Sequence, residues 1–165
     1  MLRTCINSDI NVLNAFSTIY RFLPNENTIR PTLKILEEKQ NLKRQIDEFW
    51  NSERDFIKAN VFGFETFINN CNKIDTNDKK EINEWVFKEC QFPYNTHCNH
   101  WILWKYSDTM QSFIINNNSI KFINNIITEN IKDIIKSNNF DFGWYPNPKP
   151  SIPDFFHIHV FWEKI

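Results

Sequence analysis

The sequence holds very little glycine, and that shortage excludes several kinds of catalytic site. Its 165 residues include only two glycines, Gly63 and Gly143. Phosphate-binding loops, dinucleotide-binding fingerprints and nucleophile elbows need clustered glycines, because the backbone must approach a ligand closely or turn sharply. The amino-acid counts alone therefore exclude these three motifs.

Long apolar runs, an excess of one charge and paired cysteines are also missing. No stretch of eighteen apolar residues occurs, and no apolar segment with a cleavage site follows Met1. Nineteen Lys and Arg nearly balance twenty Asp and Glu, which predicts neither duplex nucleic acid nor a membrane as a partner. The four cysteines show no paired spacing, so we expect free thiols in a soluble, cytoplasmic protein.

Aromatic residues, in contrast, are abundant. They make up 16% of the chain, with 16 Phe and 6 Trp, which is far more than a disordered chain carries. The length suits one domain with a substantial core. The frequent Asn, Ile, Lys and Phe are typical of an AT-rich genome, and a viral source fits that bias.

The spacing of apolar residues predicts helices over about 1–90. One helix is expected around Ile10–Tyr20, and a second begins near Pro31 with a break near Asn51-Ser52. A further helix is expected from Asp78 to Cys90.

The pattern changes over about 91–165, where strands flank one helix. Residues 100–106, 140–145 and 155–162 are short aromatic or alternating segments typical of strands. An isoleucine-rich helix ending near Ile135, with Ser119 as its N-cap, lies between the first two. We therefore predict one α+β domain over 1–165, with a helical part packed on a small, mainly antiparallel sheet.

The histidines are the main candidates for a functional site. His157 and His159 alternate along the last strand, so they share a face, and His100 reaches the same patch if the strands are neighbours. Imidazole titrates near neutral pH, so we expect His157 to act as nucleophile or general base and His159 to orient or protonate. His100 would assist. This chemistry needs one imidazole neutral and another protonated.

Three other interpretations of these histidines stay open. They could be buried residues satisfied by backbone carbonyls. They could belong to a zinc site, although no metal-binding spacing is present and we predict no metal or cofactor. They could also grip a ligand without chemistry. The metal alternative would draw on the following residues: Cys90, His97, Cys98, His100, His157 and His159.

Aromatic and basic residues near the histidines are the candidates for substrate binding. Trp144 and Tyr145 stand beside Gly143 and a proline-rich loop over 146–153, where binding residues concentrate. Lys149 in that loop and Lys105 would close over a phosphate, and Trp104 could stack on a ring. The expected ligand is a phosphorylated or nucleotide-linked small molecule, and a protein partner is left open. Whether the protein is an enzyme is left open as well.

Several segments, taken in order, carry a resemblance to a known family. They are Phe92-Pro93-Tyr94, His100-Trp-Ile-Leu-Trp104, His157-Ile-His-Val160 and the aromatic stretch from Phe49 to Phe64. Together they resemble the chiefly fungal N-acetylglucosamine-induced protein family, a domain of unknown function. Lys105 stands one position earlier than the basic residue of that pattern. The resemblance implies at most a link to amino-sugar derivatives.

Shorter stretches resemble other proteins. Phe155-Phe-His-Ile-His-Val-Phe is similar to the strand of histidine-triad proteins, with His157 in the nucleophile's place and Phe155 in place of the first histidine. The two His-apolar units at His100 and His157 resemble two-histidine phosphoesterases without their Ser or Thr. Trp101-Ile-Leu-Trp104 resembles a strand of cap-binding translation factors. The alternative function is thus a non-catalytic module that recognises a sugar nucleotide or a cap-like base.

Overall fold

A computed structural model describes residues 31–78, 81–95, 98–107, 116–146, 152 and 154–165. The elements within these ranges are α1 (Leu33–Phe49), α2 (Glu53–Asn60), β1 (Thr66–Ile68), β2 (Ile74–Thr76), β3 (Trp85–Glu89), β4 (Asn99–Lys105), α3 (Asn117–Ile135), β5 (Phe140–Pro146) and β6 (His157–Lys164). Helices and antiparallel sheets are both present, which confirms the α+β class.

The main sheet has four strands in the order β3-β4-β6-β5, and every neighbouring pair is antiparallel. The last strand of the chain, β6, therefore lies in the middle, between β4 and β5. A separate antiparallel hairpin is formed by β1 and β2. The central position of β6 matters because both of its faces are covered and its side chains are buried.

The predicted break in the first described helical segment is confirmed. Helix α1 ends before Trp50, which has extended backbone angles, and α2 begins after Ser52. The side chains of Thr32 and Ser52 accept hydrogen bonds from backbone N–H groups in the first turns and so act as the two N-caps. The predicted helix around Ile10–Tyr20 lies outside the described residues.

The isoleucine-rich helix is also confirmed, with a different cap. Helix α3 has Asn116, rather than Ser119, as its N-cap. The Ser119 hydroxyl accepts from the backbone N–H of Asn116 while the Asn116 side chain accepts from the backbone of Ser119, which is a capping box. Ile123, Ile127 and Ile131 then point into the core, fully buried.

The helix predicted over Asp78–Cys90 is wrong. Trp85–Glu89 forms β3, which pairs with β4 along its whole length. Phe87 stacks on Trp101, with ring centroids 4.9 Å apart, so pairing with β4 outweighs the local helical spacing of the apolar residues. With β1 and β2, strands therefore begin well inside the part predicted as helical.

The four-stranded sheet separates two faces of different chemistry. On the helix face, α3 packs on a core that includes Leu103, Phe142, Trp144 and Val160. On the histidine face lie six alternating side chains of β4 and β6: His100, Ile102, Trp104, His157, His159 and Phe161. Segments around α2 and Phe155 pack against Trp104 on that side.

Within the described ranges, no helix has both the length and the apolar character needed to cross a membrane.

Candidate functional site

The antiparallel register brings the three predicted histidines together. His159 lies opposite Ile102 of β4, His157 opposite Trp104, and His100 opposite Phe161. Because side chains alternate along a strand, all three imidazoles project from the same face. All three are buried, at 4–8% exposure. The expectation that His100 lies on the strand next to His157 and His159 is confirmed.

Two of the histidines are joined by a direct hydrogen bond. Nε2 of His100 lies 2.8 Å from Nδ1 of His159. On its other side, His100 accepts a hydrogen bond at Nδ1 from the backbone N–H of Tyr94, at 3.0 Å. Both ring nitrogens of His100 are therefore used within the protein, so His100 has no nitrogen left for a ligand.

His159 has one ring nitrogen with no hydrogen-bond partner among the described residues. Its Nε2 is buried and unpaired, and the His159 residue as a whole is 7% exposed. A buried polar atom without a partner costs about 1–3 kcal/mol. Such an atom calls for a functional explanation, because the majority of buried polar groups in proteins are paired.

His157 has the opposite arrangement of ring nitrogens. Its Nδ1 lies 2.9 Å from the carbonyl oxygen of Phe155. A carbonyl only accepts, so Nδ1 carries the proton and Nε2 of the neutral ring presents a lone pair. The indole of Trp104 stacks on the His157 ring, with centroids 4.6 Å apart, and holds its orientation.

Aromatic rings surround the imidazoles. The rings of Tyr94 and Tyr145 both stack on His159, at centroid distances of 5.5 and 5.4 Å. Phe161 stacks on His100 at 4.4 Å. These contacts restrict the imidazole rotamers, so the nitrogens keep fixed directions.

Burial makes all three imidazoles weak bases. It lowers the pKa of His100 to about 3, and it lowers the pKa of His157, with a smaller opposing effect from the Phe155 carbonyl. The pKa of His159 is lowered well below its ordinary value by burial and then by the neighbouring His100 and His157. The cluster is therefore neutral at pH 7, and burial disfavours the protonated imidazole that the sequence-based hypothesis required.

A positive charge on α1 also acts on this cluster. The charge of Lys39, which is exposed, adds to the lowering of the pKa of both His157 and His159. Lys39 also acts on Cys90, whose thiol pKa burial raises to about 11. This lysine was not singled out by the sequence pattern, because nothing in the spacing of α1 reveals that it approaches the last strand.

The predicted substrate-binding residues divide between the two faces. Trp104 and Tyr145 lie on the histidine face, against His157 and His159. Trp144 lies on the helix face, fully buried, and its indole N–H donates to the Asn124 side chain at 2.7 Å. Trp144, predicted as a ligand-binding residue beside the loop, is therefore a core residue on the face opposite the histidines.

The two predicted lysines do not join the histidines either. Lys105 lies on the helix-face side of β4, where its ammonium forms a 2.7 Å ion pair with Glu84 and lies over the Trp85 ring. Lys149 lies outside the described residues. A phosphate at the histidines would therefore not meet Lys105.

The alternative metal site receives no added support from the geometry. His97 lies outside the described residues, and Cys71, Cys90 and Cys98 form no disulfide bond within them. Within the described residues, no group of three or more His, Cys, Asp or Glu side chains is placed to hold a metal ion. A thiol with a pKa of about 11, that of Cys90, is also a poor source of the thiolate that zinc prefers.

Two backbone groups that contribute to the site were not predicted from the sequence. The backbone N–H of Tyr94 and the carbonyl of Phe155 set the roles of His100 and His157, and sequence patterns carry no signal for backbone donors. The position of Phe161, in contrast, follows from the sequence, because the His-x-His-x-Phe alternation of β6 predicts it on the same face as His157 and His159.

Comparisons with known proteins add little. No family model matches the chain, and no curated protein matches it. A solved structure of a protein called HTC1 is similar over 92% of this chain and 81% of that one, with 13% sequence identity and a TM-score of 0.46. The functional argument therefore depends on the site itself.

Proposed function

We propose that the histidine face is a small-molecule site that acts on a phosphorylated or nucleotide-linked substrate. The observation that carries this proposal is the buried, unpaired Nε2 of His159 beside the lone pair of His157. The centroids of the two rings lie 6.1 Å apart, with an interplanar angle of 66°. Two neighbouring imidazoles with fixed orientations suit a ligand that contacts both.

His157 would act as the general base. Its Nε2 would take a proton from a water molecule as the water oxygen forms a bond to phosphorus. The bond from phosphorus to the leaving oxygen breaks, and the imidazolium of His157 returns the proton to that oxygen. Water is thus added across the ester bond, and His157 ends neutral. His159 would contact a non-bridging oxygen at Nε2.

The charge of the site limits the class of substrate that it would bind. Three neutral imidazoles offer hydrogen bonds but no counter-charge, and burying an unpaired dianion is far more costly than burying a single charge. A phosphodiester carries one negative charge, and the positive charge of Lys39, which acts on His157 and His159, would attract it. We therefore expect phosphodiesters to be preferred over phosphomonoesters.

A second function, binding without turnover, is favoured by one specific observation. The lowered pKa values of all three histidines weaken them as bases, while the stacked rings of Tyr94, Tyr145 and Trp104 form an aromatic wall. A module that recognises a sugar nucleotide or a cap-like base would need the hydrogen bonds and the rings, but no proton transfer.

The test uses the full chain and three probe classes: a sugar nucleotide, a dinucleotide and a cap analogue. Binding raises the Tm in proportion to the logarithm of the ligand excess over its Kd. Phosphorus NMR of the same mixtures reports hydrolysis. Bis(p-nitrophenyl) phosphate and p-nitrophenyl phosphate, followed by absorbance, test the preference for a diester.

The decisive variant is His157→Asn, because the Asn amide can still donate to the Phe155 carbonyl while the Nε2 base is lost. We expect it to lower hydrolysis at least 100-fold, and Lys105→Gln, on the other face, to leave it unchanged. Binding with no hydrolysis in the wild type would favour the recognition module. No Tm shift and no hydrolysis with any probe would refute both proposals.

A further inference from the structure

Hydrogen bonds join the Tyr94 backbone, His100 and His159 in one chain, the histidine relay, which ends at the candidate site. We propose that the Tyr94 backbone and His100 hold the proton of His159 on Nε2, so that the site presents a neutral N–H donor to its ligand. His100 is then a positioning residue. This inference deepens the proposed function, because it defines the ligand group that His159 accepts.

The chain of hydrogen bonds starts at the backbone. The N–H of Tyr94 points at Nδ1 of His100 from 3.0 Å. A backbone N–H can only donate, so this nitrogen of His100 must present its lone pair. The proton of the neutral His100 ring therefore resides on Nε2.

The next hydrogen bond in the chain joins His100 to His159. Nε2 of His100 lies 2.8 Å from Nδ1 of His159. Since His100 donates from Nε2, Nδ1 of His159 must accept, and the proton of the neutral His159 ring resides on Nε2. The reverse arrangement would leave both nitrogens of His100 without a proton, which a neutral imidazole does not allow.

The Nε2 atoms of His159 and His157 define which chemical groups a ligand must present. The Nε2–H of His159 is a buried donor that no described residue accepts from, so a ligand gains by placing an oxygen acceptor there. The neighbouring Nε2 of His157 is a lone pair. The pair suits a ligand with an acceptor oxygen for His159 and a hydroxyl or water proton for His157. A ligand that presents only donors, or only acceptors, to these two nitrogens would not fit.

The Tyr94 turn therefore has a role beyond packing. Its ring stacks on His159. Its backbone N–H, acting through His100, fixes the position of the proton on the His159 ring. Both contacts come from one loop residue between β3 and β4. Any change that moves this turn would therefore alter the hydrogen-bond donor that His159 presents at the site.

The experiment is nitrogen NMR of the full chain labelled with ¹⁵N histidine. Protonated and unprotonated ring nitrogens have well-separated shifts, and a coupling across the N–H···N bond identifies its two partners. We expect His159 to be protonated at Nε2 and Nδ1 to be coupled to Nε2 of His100. A wild-type spectrum with the His159 proton on Nδ1 would overturn the relay, whether or not any variant folds.

Variants at position 100 test the positioning role. In His100→Asn the shorter side chain can still accept from the Tyr94 N–H but does not reach His159, so we expect the coupling to vanish and both tautomers of His159 to appear. Lys105→Gln should leave the His159 signals unchanged. An unaltered His159 tautomer in a folded His100→Asn protein would contradict the role of His100.

The outcome is independent of the proposed reaction. The relay holds if His159 shows the expected tautomer even when no phosphodiester is hydrolysed. The reaction holds if His157→Asn loses hydrolysis even when the relay is wrong. Each failure thus leaves a different signature.

Discussion

The two faces of the central sheet are made by the same strands but differ in chemistry, because one is mainly apolar and the other holds three histidines. On the helix face, Ile127 and Val160 are fully buried among apolar neighbours, and the indole N–H of Trp144 is paired with Asn124. On the histidine face, three imidazoles are buried and one ring nitrogen lacks a partner among the described residues. Each face also leaves one buried ring nitrogen without a partner among the described residues, Nε1 of Trp162 on the helix face and Nε2 of His159 on the histidine face.

The difference indicates where stability and function lie. A closely packed and mainly apolar face is what a stable core requires. A buried, unpaired imidazole nitrogen lowers stability, and proteins tolerate such features at functional sites. Because β6 supplies both Val160 to one face and His159 to the other, the two roles are separated by side-chain alternation alone.

Acid should affect the histidine face most strongly. In the unfolded chain the histidines titrate near 6.5, whereas burial lowers their pKa values in the folded protein. Below pH ~6.5 the unfolded chain therefore binds more protons, and stability falls as the pH decreases. Three such groups together give a slope of up to about 4 kcal/mol per pH unit.

Urea unfolding at pH 7, 6 and 5 measures this slope. In His159→Phe the slope should decrease by up to about 1.4 kcal/mol per pH unit, because one group no longer takes up a proton on unfolding. A wild-type free energy of unfolding that stays constant from pH 7 to pH 5 would contradict the burial of neutral histidines.

Truncation on the helix face should have the next largest effect. Ile127→Ala removes a fully buried side chain of α3 and leaves a cavity, so we expect the free energy of unfolding to fall by about 2–5 kcal/mol. Urea unfolding at pH 7 measures it. Ile134→Ala, at a position 43% exposed on the same helix, is the matched control and should change stability by less than about 1 kcal/mol.

Breaking the hydrogen bond between Asn124 and Trp144 on the helix face should lower stability less than truncating Ile127. Asn124→Leu removes the acceptor of the Trp144 indole N–H, which leaves a buried donor unpaired and should destabilise by about 1–3 kcal/mol. Adding Trp144→Phe removes the donor as well. If the double variant is no more stable than the sum of the two single changes predicts, the hydrogen bond is not the cause.

The smallest effect is expected at His159. His159→Phe removes its unpaired Nε2–H but deprives Nε2 of His100 of its acceptor. These two changes are of similar size and opposite sign, so at pH 7 we expect a net change within about 1 kcal/mol. Calorimetry measures it. A loss comparable to that of Ile127→Ala would mean that the imidazole is a structural element.

Much of the local structure could be predicted from the sequence. The periodicity of 31–60 and of the isoleucine-rich segment located α1, α2 and α3, and alternation located β4, β5 and β6. The prediction failed for Trp85–Glu89, where helical spacing of apolar residues coincides with a strand. Such a short segment is decided by its pairing with β4, which is a nonlocal interaction.

The site could be predicted only in part, for the same reason. Alternation alone places His157 and His159 on one face, because it is a property of any strand. Only tertiary structure brings His100 within hydrogen-bond distance of His159 and places Lys105 and Trp144 on the far side of the sheet. Whether a residue meets the histidines depends on strand register, which joins residues distant in sequence.

The sequence by itself determined the α+β class, the helices and strands with strong periodicity, and the shared face of His157 and His159, since these follow from local spacing. The tertiary structure decided the protonation of the site. Burial lowers the pKa of each histidine, and a backbone N–H from Tyr94 with a carbonyl from Phe155 directs the ring protons. Burial and backbone hydrogen bonds exist only once the chain has folded, so no pattern of residues could reveal them.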